Sequence, residues 1–226
     1  MFTDNAPAPQ DSCLVLLSGG LDSAVALALA VRNSKSVYAI TFDYGQKHKR
    51  EIESAKVLTK AYRPSGVVHY IVYDISLRQF KGLRDSDSTE PTFPQLLPQT
   101  WKPGRNIMFL AYAGAFCVEH SIHLIAVGIH AGDQPGYPDC TVNFLGQMEH
   151  ALHLGLAHPL EIWAPLLHYK KHQIVALGKT LEVPFELTWS CYEGGEEPCG
   201  KCDACIRRTD AFKVNNATDP LLKEAK

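Results

Sequence analysis

A short apolar run, Ser12 to Leu17, passes directly into Ser18-Gly19-Gly20-Leu21-Asp22-Ser23 and then into the Ala- and Leu-rich stretch AVALALAVR. This is strand, glycine turn and helix, the opening of a βαβ unit, and it commits the chain to an α/β fold. Gly19 and Gly20 allow a tight turn close to an anion, and Ser18 and Ser23 bring hydroxyl donors. The helix N-terminus adds free N–H groups and a partial positive charge. Asp22 either caps the helix or holds a Mg2+ against phosphate oxygens. The lysine of the G-x-x-x-x-G-K-[ST] loop is missing, and so is the spacing of the dinucleotide G-x-G-x-x-G. A turn with a capping aspartate would explain the glycines, but not the two serines beside them. The expectation is a phosphate-binding loop of another type.

The alternation continues. Ser36 to Phe42 and VVHYIVYDI read as strands, with a polar helical stretch over about 46–62 between them. Asn106 to Glu119 reads as a buried helix and HLIAVGI as a fourth buried strand, and helical stretches at 143–156 and 170–181 flank LEIWAP. The predicted architecture is a Rossmann-like, doubly wound, mostly parallel sheet with helices on both faces. Ser76 to Gly104 holds Pro91, Pro94, Pro98 and Pro103 without periodicity and reads as a functional loop or lid. The expected division is a flexible N-terminus at 1–11, an α/β domain at 12–185, a cysteine-rich segment at 186–213 and a tail at 214–226.

Lys plus Arg is 22 against 24 Asp plus Glu, a net charge of -2, which argues against a generic polyanion binder. No apolar run approaches the roughly 20 residues of a membrane helix. Asp4 and the lack of a basic n-region make the N-terminus unlike a signal peptide. Seven cysteines, four of them between Cys191 and Cys205, make a poor disulfide framework and point to a reducing cytoplasm.

Those four follow the spacing Cys191-x7-Cys199-x2-Cys202-x2-Cys205, with Gly194, Gly195, Pro198 and Gly200 for the turns between them. Four thiolates in a tight fold suit tetrahedral Zn2+, and a full ligand set makes the metal structural. Successive C-x-x-C steps also suit an iron-sulfur cluster, although its fourth ligand normally comes from farther along, and a redox pair is the third option. Arg207 and Arg208 follow the knuckle, placed either to reach phosphate or carboxylate groups or to form a solvated helix face.

SGGLDS resembles the modified phosphate loop of the ATP pyrophosphatases, which adenylate a carbonyl oxygen and release pyrophosphate. Taken with TFDYGQKHKREI (Thr41 to Ile52), PGRN (Pro103 to Asn106), GYPDC (Gly136 to Cys140) and WSCY…PCGKCDACIRR (Trp189 to Arg208), it makes the chain resemble the 7-cyano-7-deazaguanine synthase family of queuosine biosynthesis. The resemblance runs from Leu14 to Phe212. It implies an adenine-nucleotide hydrolase-like fold and conversion of 7-carboxy-7-deazaguanine, ATP and ammonia to the nitrile through an adenylate and an amide. It also implies one structural zinc on Cys191, Cys199, Cys202 and Cys205, Mg2+, and a homodimer. ATP contacts carry over to Leu17, Ser18, Gly19, Gly20, Leu21, Asp22, Ser23 and Leu27. Ser18, Asp22, Ser23, Arg105 and Asp139 carry over as the catalytic set. Arg105 and Asp139 are the candidates for substrate or phosphate contacts, their plain alternatives being a helix start and an Asx turn. Lys170 and Lys171 stand where the family has a lysine.

The chain departs from the family where Arg usually follows GYPDC (here Thr141) and where Thr usually precedes Pro165 (here Ala164). HAGDQP keeps Asp133 but has Gln134 and Pro135. An arginine is a natural carboxylate partner, so the alternative is a paralogue that transfers an activated deazaguanine to protein or nucleic acid, as in antiphage systems. A tRNA-thiolating enzyme would need a reactive cysteine pair. Cys13 and Cys117 lie in apolar stretches, which leaves Cys140 as its one loop thiol. A zinc module that binds RNA without catalysis is the remaining reading, and the net charge counts against it.

Overall fold

The computed structural model describes residues 7–46, 49–75, 101–133 and 136–221. Five strands pair in the order β3-β2-β1-β4-β5, all parallel: β1 (Gln10–Leu16), β2 (Ser34–Asp43), β3 (Val67–Asp74), β4 (Leu124–Ala126) and β5 (Glu161–Trp163). Six α-helices accompany them: α1 (Leu21–Asn33), α2 (Arg50–Tyr62), α3 (Arg105–His120), α4 (Val142–Leu156), α5 (Lys171–Thr180) and α6 (Asp203–Val214).

The near-continuous apolar run of β1 follows from burial on both faces. Cys13, Val15 and Leu17 pack into one core with Val25 and Leu27 of α1, Leu58 of α2, Ile174 of α5 and Phe212 of α6. Leu14 packs into the other with Ile40, Leu110 and Phe116 of α3, and Leu152 of α4. The sheet is therefore wound on both sides. The chain runs outward from β1 to β3 and then returns to β4 on the other flank of β1. The carboxyl ends of β1 and β4 thus form the topological switch point, the place where open α/β sheets bind ligands.

Three elements differ from their sequence reading. The helix expected from residue 46 begins at Arg50, because Gly45 takes φ +84° and Gln46 folds back on the end of β2. The Gln46 amide accepts from Tyr44 N–H and donates to Phe42 O, at 2.9 and 3.1 Å. HLIAVGI pairs as a strand over Leu124–Ala126 only. Its continuation leaves the sheet to cross α1, where a Cβ on Gly128 would stand 2.9 Å from Ser23 N. LEIWAP, which carries no clear strand signal, supplies β5, held by pairing to β4. The proposed lid at 76–104 lies, up to residue 100, outside the described residues, as do Gln134 and Pro135. Among the described residues no helix is long and apolar enough to cross a membrane.

Candidate active site

The phosphate loop is built by hydrogen bonds among its own members. Ser18 Oγ lies 3.0 Å from Ser23 Oγ and accepts the Gly20 N–H at 3.2 Å, while Ser23 Oγ donates to Gly20 O at 3.0 Å. Thr41 Oγ1 donates to Leu17 O at 2.6 Å, pinning the end of β1 to β2. Gly19 adopts φ +88°, and a Cβ there would stand 2.1 Å from Glu51 O. The left-handed turn and the close approach of α2 both require glycine. Gly20 N-caps α1 without a side-chain bond, so the helix N-terminus keeps donors for an anion.

A cavity of about 410 Å³ opens over this loop. Ser18, Gly20, Leu21 and Asp22 form one wall, His130 to Asp133 a second, and Lys170 and Lys171 a third. The cysteine-rich segment closes the fourth side with Trp189, Ser190, Tyr192 and Arg207. Trp189 N–H donates to Gly19 O at 2.9 Å, so this segment is anchored to the phosphate loop itself. Leu17 and Leu27 are buried in the core, and Leu27 lies beyond the first turn of α1, away from the cavity wall.

Lys171 Nζ donates to Asp22 Oδ2 at 2.5 Å. Asp22 Oδ1 is buried with no hydrogen-bond partner. A carboxylate with one oxygen on a lysine and the other unused fits a divalent cation beside phosphate better than a helix cap. Burial raises the Asp133 carboxyl above its ordinary value, the charge of Asp22 adds to this, and His130 and Lys171 oppose it.

PGRN and GYPDC meet beside the cavity. Asn106 Nδ2 donates to Asp139 O at 3.1 Å, and Trp101 Nε1 donates to Asp139 Oδ1 at 3.1 Å. Arg105 opens α3, with its guanidinium 5.5 Å from the Tyr44 ring centroid and Nη1 donating to Tyr44 OH at 3.2 Å. Neither Arg105 nor Asp139 lines the cavity. Cys140 joins the two groups, because Asn106 Nδ2 also donates to its Sγ at 3.6 Å. Burial pushes that thiol up to about 12, against the thiolate form that a thiolating mechanism would use.

One sequence reading is corrected. Arg208 is not at the cavity: it is 2% exposed, and its Nε and Nη2 grip Asp219 at 2.7 and 3.0 Å. Its other bonds go to Thr188 Oγ1, Phe185 O and, at 3.3 Å, Ser190 Oγ on the cavity side. Arg207 takes the exposed position on α6. Lys171, one of the two lysines that stand where the family has one, bonds to the phosphate loop. Thr141, where the family has Arg, N-caps α4 by accepting the Phe144 N–H at 3.2 Å. His130 carried no sequence signal, because a lone histidine in a loop has none.

The four Sγ atoms of Cys191, Cys199, Cys202 and Cys205 lie within 4.8 Å of one another. Gly194 and Gly200, at φ +65° and +68°, make the turns between them. Backbone N–H groups of Lys201 and Cys202 lower the Cys199 thiol to about 6. Cys191 Sγ accepts from Glu193 and Cys199 N–H at 3.4 and 3.3 Å. A cluster of four sulfurs with N–H groups turned toward them is a site that can bind a metal.

The family model described as "Queuosine biosynthesis protein QueC" matches residues 12–216. The chain belongs to the QueC family. A 7-cyano-7-deazaguanine synthase from Trichodesmium erythraeum is 40% identical over 222 residues, covering 92% of this chain and 99% of that one. The 7-cyano-7-deazaguanine synthase of Aquifex aeolicus is 42% identical over 214 residues, covering 90% of this chain and 97% of that one. Among solved structures, the NMN synthetase of Francisella tularensis matches with a TM-score of 0.52 at 18% identity, over 96% of this chain and 81% of that chain. A 4-thiouridine synthetase solved with RNA and ATP matches with a TM-score of 0.54 at 18% identity, over 78% and 42%. At such identity these two structures speak for the fold alone.

Proposed function

We propose that the chain synthesises 7-cyano-7-deazaguanine from 7-carboxy-7-deazaguanine, ammonia and two ATP. The observation that carries this is identity of 40% and 42% to two 7-cyano-7-deazaguanine synthases over about nine-tenths of the chain, which keeps the Ser18 to Ser23 loop. The substrate carboxylate attacks the α-phosphorus of ATP and displaces pyrophosphate. Ammonia adds to the adenylate carbon, AMP leaves, and a proton is lost to give the amide. The amide oxygen is then adenylated by the second ATP. Loss of AMP and of both N–H protons leaves the nitrile. One nucleotide site serves both activations, and its work is positioning and charge neutralisation.

In this reading Ser18, Gly19, Gly20 and Ser23 cradle the phosphates, and Lys171 balances their charge. Asp22 holds Mg2+, which would screen the pyrophosphate leaving group. Tyr192, which is 44% exposed and lines the cavity, offers a ring for stacking a purine. Arg207, on the cavity wall, is the partner for the substrate carboxylate, in place of the arginine missing at 141, while Arg105 stands beside the cavity on Tyr44. No observation favours a macromolecular acceptor. Incubation with carboxy-deazaguanine, ATP, Mg2+ and ammonium should give the nitrile by mass spectrometry, with AMP and pyrophosphate. ADP and phosphate as stoichiometric products, or AMP formation without nitrile in excess ammonium, would overturn the proposal.

The cysteine cluster holds Zn2+ in this reading, because all four of its positions are thiolates. Metal analysis of purified protein should find about one Zn2+ per chain. Iron with acid-labile sulfide, or a folded protein without metal, would refute it. The thiol-rich chain is assigned to the cytoplasm. It is also assigned as a homodimer, a reading supported by exposed Ile107, Tyr112 and Val118 on α3 and testable by analytical ultracentrifugation.

A further inference from the structure

We infer that His130 is a positioning residue of the nucleotide site: its ring, fixed as the Nε2–H tautomer, spans Asp22 and Asp133 and holds Asp22 in place for the phosphates and their cation. The placement begins with the backbone. The loop after β4 crosses the start of α1 so closely that a Cβ on Gly128 would stand 2.9 Å from Ser23 N and 3.1 Å from Asp22 C. Two residues later His130 is 6% exposed, and it lines the same cavity as Ser18 and Asp22 of the phosphate loop.

The ring's orientation is set by its own loop. Gly132 N–H donates to His130 Nδ1 at 2.9 Å, so in the neutral ring Nδ1 is the acceptor and Nε2 carries the hydrogen. A Cβ on Gly132 would press to 2.8 Å from His130 Cε1, so glycine is what lets the backbone donor come in. The His130 N–H donates to Asp133 Oδ2 at 3.2 Å, tying the carboxylate to the same turn. Nε2 then faces Asp133 Oδ1 at 3.5 Å and Asp22 Oδ2 at 3.8 Å. Both distances exceed a formed hydrogen bond, and contacts of this kind in ligand-free sites tighten when substrate binds. Asp22 Oδ2 already takes Lys171, and a donor on its other flank keeps Oδ1 directed at its own ligand. Two carboxylates so close repel one another, and an N–H facing both offsets that.

The inference rests on the proposed nucleotide role of Asp22, and its test needs no deazapurine, so failure of nitrile synthesis would leave it standing. Long-range 1H–15N spectra of the wild-type protein should place the ring proton on Nε2, with the signal shifting when ATP and Mg2+ are added. Calorimetry should show His130→Leu binding ATP with Mg2+ about tenfold or more weakly, the scale of a hydrogen bond to a charged group. His130→Gln, whose amide sets a donor near the Nε2 position, should recover most of the loss. An Nδ1–H tautomer, unchanged binding by His130→Leu, or a glutamine variant as weak as the leucine variant would each overturn the inference.

Discussion

Asp22→Ala should lower the formation of AMP and pyrophosphate by at least about a hundredfold, the scale on which removal of one preorganised charge-stabilising group acts. The mutation removes the acceptor that Lys171 Nζ reaches at 2.5 Å and, with it, the unpartnered Oδ1 assigned to the cation. Folding should survive, because Asp22 is on the cavity side of the first turn of α1 and not in its packed face, and an acid at such a helix start contributes only about 0.3–1 kcal/mol. Circular dichroism should therefore give a melting curve near that of the wild type while pyrophosphate release is lost. Lys171→Met should share the defect, and the double mutant should be little worse than either single, as expected of two groups that act as a unit. Undiminished turnover in Asp22→Ala would rule out the adenylation site as drawn.

Arg208→Met acts on stability instead. The guanidinium and the Asp219 carboxylate are each 3% exposed and joined at 2.7 Å, with further bonds to Thr188 Oγ1 at 2.6 Å and Phe185 O at 3.0 Å. Breaking a buried pair leaves an uncompensated charge and costs about 3–5 kcal/mol. For a chain of this size, that corresponds to a fall in Tm of roughly 10 °C. Removing Asp219 as well, as in Arg208→Met with Asp219→Leu, should recover part of the loss, because an apolar pair carries no buried charge. The KM for carboxy-deazaguanine in the folded fraction should stay where it was. A stable Arg208→Met protein with a raised KM would return Arg208 to the substrate site.

The contrast between these residues shows what is legible in a chain of this kind. SGGLDS declares itself because every part of it is local: the glycines, the hydroxyls and the helix start are adjacent in sequence, and the chemistry follows from neighbours. The four cysteines declare themselves for the same reason, with all their ligands inside fifteen residues. Arg207 and Arg208 are adjacent too, yet one lines a cavity and the other is buried. Helical rotation of about 100° per residue separates them, and only the packing of α6 against α5 and Phe185 decides which turns inward.

From the sequence alone came the α/β class, the strand-glycine turn-helix at Ser18 to Ser23, the cysteine cluster and the family. Each is encoded in a contiguous stretch whose periodicity or spacing has few physical solutions. Tertiary structure decided which distant side chains complete the site. Lys171 lies 149 positions from the aspartate it bonds, and His130 reaches Asp22 only because β4 pairs beside β1 and its loop has a glycine where α1 passes. Contacts of that kind depend on strand order and on the closeness of two backbones, and neither leaves a periodic mark in the residues that make them.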